Sequence, residues 1–404
     1  MTSVRRVTPV SYLGATSFGG TIAIHTHTPA PGKVTVRFVD SPFGLAGSVV
    51  GNVSVTNGWH TITGLVPDGA TPPPPHVSAA LRAVRLGFRV SGTLLSGEIA
   101  NLPRSEHGGT GTLAGVIHAT SVDVLPPLAS IAGVYAFIAT NVDLRTSDHG
   151  EVPRSVASFS GQVRLDADGR LRVCAAQNYR DGCVDPRSGK PAPGAHLHPA
   201  DQTRYPGVYA LRADGEYAGR VFVARDGERL TLLIDQRQGY GPEETIGAWI
   251  LHSARSVAAA DLDGDWQCRQ PPADFDALAS VARDGGMATH PLWIDDQAAT
   301  TGSTPAIFGQ LERDGSAGVG DEERPVRIEG LAHIRWLYPE AVPDGDIREQ
   351  VLLPLDAQRL AYVNARRVSA HPAPASRANV DEVVWGFCVK GDGIGVVGDQ
   401  FAVI

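Results

Sequence analysis

The sequence predicts an all-β protein, three tandem antiparallel β-barrel domains related by an internal repeat, with a β-sandwich as the alternative form of each unit. Three observations predict it. Glycine and proline number 46 and 29 of 404 residues and are spread along the chain, a turn-rich composition suited to many short strands. Apolar and polar residues alternate in Gln162-Val163-Arg164-Leu165 and again in Arg170-Leu171-Arg172-Val173, across an Asp-Ala-Asp-Gly turn, the period of a half-buried strand. Finally, segments recur in the same order along the chain.

The clearest recurrence aligns residues 220–234 with 350–364 without gaps, matching Val221 with Val351, Asp226 with Asp356, Arg229 with Arg359 and Leu230 with Leu360. Each reads as strand, tight turn, strand, with Asp-Gly or Asp-Ala at the turn. Downstream, 244–250 matches 382–388, with an earlier version at 111–117, and these read as closing strands. Opening strands are expected at 130–137 and 261–268, with 11–18 as a diverged third copy, and 159–163 is paired with 307–311. The units therefore span 8–119, 127–253 and 259–391, joined by short linkers at 124–128 and 256–260. Residues 72–75 read as a stiff polyproline loop inside the first unit. Each unit has room for six to eight strands of about five residues, and closing the sheet into a barrel hides its edges.

Gly264-Asp265-Trp266 and Gly133-Val134-Tyr135 stand at the openings of the third and second units. A Gly-x-aromatic at the start of the first strand resembles the opening of the calycin barrels, the lipocalin and avidin group. That resemblance implies a barrel with one end plugged by the aromatic and a cavity for a small apolar ligand.

The four cysteines allow two bridges. Cys174 and Cys183 flank a polar loop, and Cys268 and Cys388 lie in the opening and closing strands of the third unit, which are neighbours in a closed barrel. Two disulfides would place the protein in an oxidising compartment, secreted or periplasmic after loss of a signal segment. The written start, Met1-Thr2-Ser3-Val4-Arg5-Arg6, has no apolar stretch behind it and otherwise points to the cytoplasm.

Composition narrows function. Net charge is −8 and no Lys/Arg block stands out, so nucleic acid is not an expected partner. No run reaches the roughly 18 apolar residues of a membrane helix. No cofactor is expected, since P-loop, Rossmann, Gly-x-Ser-x-Gly and His-Glu-x-x-His patterns are missing. His25 with His27, and His196 with His198, are the candidate metal ligands, with His107 as a third; i and i+2 share a strand face, but the flanking Pro and Gly place both pairs in loops. Asp261-Leu262-Asp263-Gly264-Asp265 has the alternation of a calcium loop, yet Trp266 and Pro272 occupy the positions where Gly and Glu are needed. The recurring Arg229 and Arg359 follow hairpin turns and are expected on the solvent face, and Glu244 and Glu382 are expected just before an edge-proximal strand. Trp249, Trp266 and Trp385 are expected in cores, whereas Trp293, Trp336 and Tyr338 could line a groove.

The functional expectation is a non-enzymatic modular protein binding a small molecule or a protein partner. The alternatives are an enzyme with its site at the irregular 178–205 loop, where function collects on rigid scaffolds, or a structural subunit of an extracellular assembly.

Overall fold

A computed structural model of the protein describes residues 11–26, 32–42, 45–73, 75–103, 112–121, 124–147, 150–176, 182–184, 188–192, 194–240, 243–271, 287–301, 307–314, 328–337, 347–367 and 385–391. They form three closed eight-stranded barrels, each an antiparallel meander whose last strand pairs with its first. The first barrel contains β1 (Ser11–Thr16), β2 (Thr21–His25), β3 (Lys33–Asp40), β4 (Gly47–Thr56), β5 (Trp59–Pro67), β6 (Arg85–Ser91), β7 (Leu94–Pro103) and β8 (Thr112–Thr120). The second contains β9 (Gly133–Ser147), β10 (Gly150–Leu165), β11 (Arg170–Ala176), β12 (Gly194–Pro199), β13 (Tyr209–Ala213), β14 (Glu216–Asp226), β15 (Arg229–Tyr240) and β16 (Glu243–Ser253). The third contains β17 (Gly264–Gln270), β18 (Ala288–Asp295), β19 (Ala298–Thr301), β20 (Ile307–Arg313), β21 (Ala332–Leu337), β22 (Ile347–Asp356), β23 (Arg359–Arg367) and β24 (Trp385–Lys390). Closure settles the choice between barrel and sandwich, and no described helix is long and apolar enough to cross a membrane.

The hairpin alignment falls on equivalent places. β14–β15 and β22–β23 are the sixth and seventh strands of their barrels, and Asp226 pairs with Arg229 as Asp356 does with Arg359. The pairing of 159–163 with 307–311 does not: β10 is a second strand and β20 a fourth. At the end of the expected 72–75 loop, Pro75 instead opens the helix α1 (Pro75–Ala80), where its missing N–H costs nothing.

The second and third barrels open alike. Short helices α2 (Leu128–Ile131) and α3 (Ala259–Leu262) precede β9 and β17. Tyr135 donates its hydroxyl to the carbonyl of Ile131, and Trp266 donates Nε1–H to the carbonyl of Leu262 at 2.6 Å. Each aromatic buries its ring in the barrel while its polar tip satisfies an orphan carbonyl at the helix end.

Alternation sorts side chains into four cores. Inward residues fill each barrel: Ile24, Val36 and Phe88 in the first, Phe137, Tyr209 and Val221 in the second, Trp266, Leu352 and Tyr362 in the third. An eight-stranded barrel has an interior that such side chains can fill or that can hold one small ligand. The fourth core lies between the barrels and takes outward residues from all three, among them Val116, Phe222, Leu233, Val351 and Phe387. Trp59 belongs there: its ring lies over Gly87, where a Cβ would come within 2.6 Å of it, and stacks on Phe387 with centroids 5.9 Å apart. Trp385 is buried as expected, but in this shared core rather than inside its barrel.

Both disulfides form. Cys174 is bonded to Cys183, and Cys268 to Cys388, directly opposite one another where β24 closes onto β17.

Candidate functional site

Polar side chains gather in three places: two seams between barrels and one outer face. At the seam of the first and second barrels, Arg220, Asp235 and Arg237 point outward from β14 and β15. Asp235 is buried and accepts the backbone N–H of Gly20 at 3.0 Å and the hydroxyl of Thr21. Arg220 pairs with Asp40 at 3.0 Å and approaches Asp235 at 3.6 Å. Arg237 bridges Asp40, at 2.7 Å, and Glu244. The Arg220 guanidinium sits 4.5 Å above the ring of Tyr205, which comes from the 178–205 segment. Burial raises the Asp235 carboxyl, opposed by its bonds to Thr21 and Gly20 and by the charge of Arg220. Burial likewise pushes the Tyr217 phenol well up. The charges in this cluster are matched by charges and donors on another strand of the same molecule, the arrangement of a clamp.

At the junction with the third barrel, Arg359 is only 4% exposed. It pairs with Asp356 at 2.7 Å and crosses to the first barrel, donating to the carbonyl of Leu94 at 3.1 Å and to Ser96 Oγ at 3.4 Å. Ser96 Oγ lies 3.1 Å from His118 Nδ1, and the His118 ring is 5.9 Å from that of Trp385. Nearby, His252 Nδ1 lies 2.9 Å from Thr231 Oγ1. Burial, with the Arg359 charge adding to it, drives His118 down to about 3. Burial, aided by Arg229 and Arg255, drives His252 down to about 4. Both imidazoles are therefore neutral at ordinary pH. Arg269 of β17 forks onto Glu98 of β7 at 2.5 and 2.7 Å. The recurring Arg359 thus corrects the solvent-facing expectation, and like Glu244 it lies in a seam, because the outward face of these strands meets a neighbouring barrel. Glu382 lies outside the described residues.

Of the predicted metal ligands, His25 is described in the first barrel and His196 and His198 in the second. His25 ends β2, with Nδ1 2.7 Å from Ser11 Oγ, and burial and Arg37 lower its pKa. His27 and His107 lie outside the described residues. His196 and His198 correct the loop expectation, since both sit on β12. Their rings are 6.3 Å apart, and His196 Nε2 accepts from Arg170 at 3.4 Å. Among the described residues no three His, Cys, Asp or Glu side chains are placed to hold a metal ion. In the acidic run, Asp261 pairs with Arg255 at 2.7 Å and accepts the N–H of Ala258 at 3.0 Å, while Asp263 accepts the N–H of Asp296 at 3.1 Å. Those carboxylates cap α3 and tie a turn. The described end of the 178–205 segment folds on itself: Gln202 donates to the carbonyls of Ala200 and Val208 and accepts from Gly207.

The outer face of the third barrel is different in kind. Trp293 of β18 is paired with Thr300 of β19, and Thr300 with Phe308 of β20. Residues paired across strands point to one side, so the two rings and the hydroxyl stand in a row. Their neighbours Leu292, Ile294, Ala299 and Leu311 point inward and are buried. Trp293 is 53% exposed and Phe308 62%. Asp265 of β17 continues the row beyond Trp293. Trp336, the other aromatic expected at a groove, is buried inside the barrel, and Tyr338 lies outside the described residues.

No protein-family model matches the chain, and no curated protein matches its sequence. Among solved structures it is similar to a double mutant of the vaccine antigen transferrin-binding protein B from Haemophilus parasuis Hp5, with 10% identity over 95% of this chain and 76% of that one and a TM-score of 0.23. Intact Ap-TbpB, with its N and C lobes, gives 10% identity, 95% and 77% coverage and a TM-score of 0.21. A protein of unknown function from the DUF3598 family of Nostoc punctiforme PCC 73102 gives 12% identity over 65% of this chain and 97% of that one, with a TM-score of 0.21.

Proposed function

We propose that the protein is a non-enzymatic binding protein built from calycin-like barrels, which holds its ligand on the outer face of the third barrel rather than inside a barrel. The observation that carries this reading is the row Trp293–Thr300–Phe308, two large aromatics more than half exposed on one sheet face. Large exposed aromatics grouped on a surface mark binding sites. The row lies on regular strands, in a barrel closed by Cys268–Cys388 and braced by the shared core, so little order is lost on binding. The barrel interiors are occupied by side chains such as Tyr135, Phe137 and Tyr209, and an apolar guest there would have to displace close-packed groups. The aromatics anchored beneath β9 and β17 support the calycin-like description. The two disulfides support secretion or a periplasmic location.

Probing glycan, peptide and lipid arrays in parallel with the wild-type protein and with the double variant Trp293→Ala/Phe308→Ala tests the reading. Signals strong in the wild type and lost in the variant are expected. Signals equal in both would remove this face from any role in binding.

A further inference from the structure

Building on that reading, we infer that the row on the third barrel is a platform for an extended, neutral polysaccharide, laid across β18, β19 and β20. Three observations lead there. The first is spacing. Trp293 and Phe308 stand on strands separated by one other, so their ring positions are roughly 10 Å apart at the usual distance between neighbouring strands. That is about the length of a disaccharide unit in an extended β-1,4-linked chain, so alternate sugars would meet a ring. An aromatic face carries negative charge density, and the axial C–H groups of a pyranose present the complementary positive surface.

The second observation is what separates and flanks the rings. Thr300 lies between them, Asp265 and Gln267 lie on β17 beside Trp293 and Pro291, and Gln310 is the next outward residue along β20 from Phe308. Hydroxyl, carboxylate and amide groups can each bond a sugar hydroxyl as donor or acceptor. Asp265 lies beside Trp293, Thr300 lies between the rings and Leu337 of β21 is paired with Phe308, so polar groups break up the apolar surface that a protein-binding hot spot would keep continuous around its anchors.

The third is charge. Outward positions around the row carry Asp265, Asp295 and Glu312 against Arg335. An anionic membrane surface or a nucleic acid requires a basic footprint, and this face has the opposite bias. A neutral polymer rich in hydroxyls satisfies both the rings and the acids.

The test uses the full chain with cellohexaose and xylohexaose, which are extended, and maltohexaose, which coils. Binding is followed by calorimetry and by tryptophan emission. The expected result is binding of at least one extended hexaose, weaker binding of cellobiose, which cannot span both rings, and none of maltohexaose. Trp293→Ala and Phe308→Ala should each weaken binding at least tenfold, about 1.4 kcal/mol, with melting temperatures unchanged because both side chains are exposed. Trp293→Phe should retain part of the affinity. No heat and no emission change with either extended hexaose at several millimolar would overturn the inference, as would equal affinity in the alanine variants. Should peptide or lipid signals on the arrays depend on Trp293 while the hexaoses fail, the binding face stands and the polysaccharide assignment falls. Should no signal depend on Trp293 or Phe308, both fall.

Discussion

Arg359, from the third barrel, donates Nη1–H to the backbone carbonyl of Leu94 in the first barrel at 3.1 Å while Asp356 holds its other end at 2.7 Å. A side chain 4% exposed that ties two barrels together makes their stability mutual. Removing it takes the guanidinium away from the half-buried Asp356 carboxylate, which keeps the N–H of Gln358, and from the carbonyl of Leu94. The expected cost of Arg359→Ala is about 1.5–3 kcal/mol, the range for hydrogen bonds to a charged group. Arg359→Lys should recover only part of this, because an ammonium cannot fork between Asp356, Leu94 and Ser96. Chemical denaturation followed at two probes, one per barrel, checks the coupling. Coincident transitions in the wild type should separate in Arg359→Ala. Unchanged, coincident transitions in the variant would show that the seam does not transmit stability.

The buried histidines predict acid lability. His118 is lowered to about 3, and His252 and His290 to about 4, from 6.5, in each case by burial first. Because their folded values are depressed, the unfolded chain binds protons that the folded one refuses. Stability is full above pH 6.5 and falls as pH drops toward 4, by at most about 1.4 kcal/mol per histidine for each pH unit. Asp235 and Glu98, raised by burial, act with opposite sign over part of that window. The melting temperature should therefore be lower at pH 5 than at pH 7, and His118→Gln should flatten the slope. Equal melting temperatures at the two pH values would count against this account.

The bond between Cys268 and Cys388 closes a loop with a sequence separation of 120 residues, whereas Cys174–Cys183 closes one of 9. Cross-linking a longer loop removes more entropy from the unfolded chain, so Cys268→Ser/Cys388→Ser should cost about 2–5 kcal/mol. Cys174→Ser/Cys183→Ser should cost less. Urea unfolding of both pairs of variants gives the comparison, and an equal cost would mean that loop length does not govern the effect here.

Much of the barrel was legible in the alternation of residues. The turn pairs Asp226–Arg229 and Asp356–Arg359 match as the ungapped alignment predicted, because a tight Asp-Gly or Asp-Ala turn sets register locally, but an irregularity between Pro354 and Asp356 shifts the earlier part of β22, so Val221 faces into its barrel and Val351 faces out. The Cys268–Cys388 bridge followed from the neighbourhood of first and last strands. The seams were harder to see. Arg359 looked like a solvent-facing charge because hairpin patterns do not say what covers the outer face. One signal was available: Leu232-Leu233-Ile234 is apolar without alternation and buried throughout, the pattern of a strand covered on both sides. Applied to β15, that signal would have marked its outward charge, Asp235, as an interface residue. Trp293 and Trp336 look alike along the chain, and only their strand parity separates them: 293 faces out with Asp295, and 336 faces in with Ile334.

By itself, then, the sequence determined the all-β class, the tandem units and the hairpin turns, because these depend on residues close in the chain or on a period of two. Tertiary structure decided which outer faces are buried. Three barrels meeting around one core convert outward Phe222, Val351 and Phe387 into interior residues, turn Arg359 and Asp235 into clamps, and leave the row of Trp293 and Phe308 facing solvent. That division follows from how the barrels pack against one another, and a local period carries no information about a neighbour hundreds of residues away.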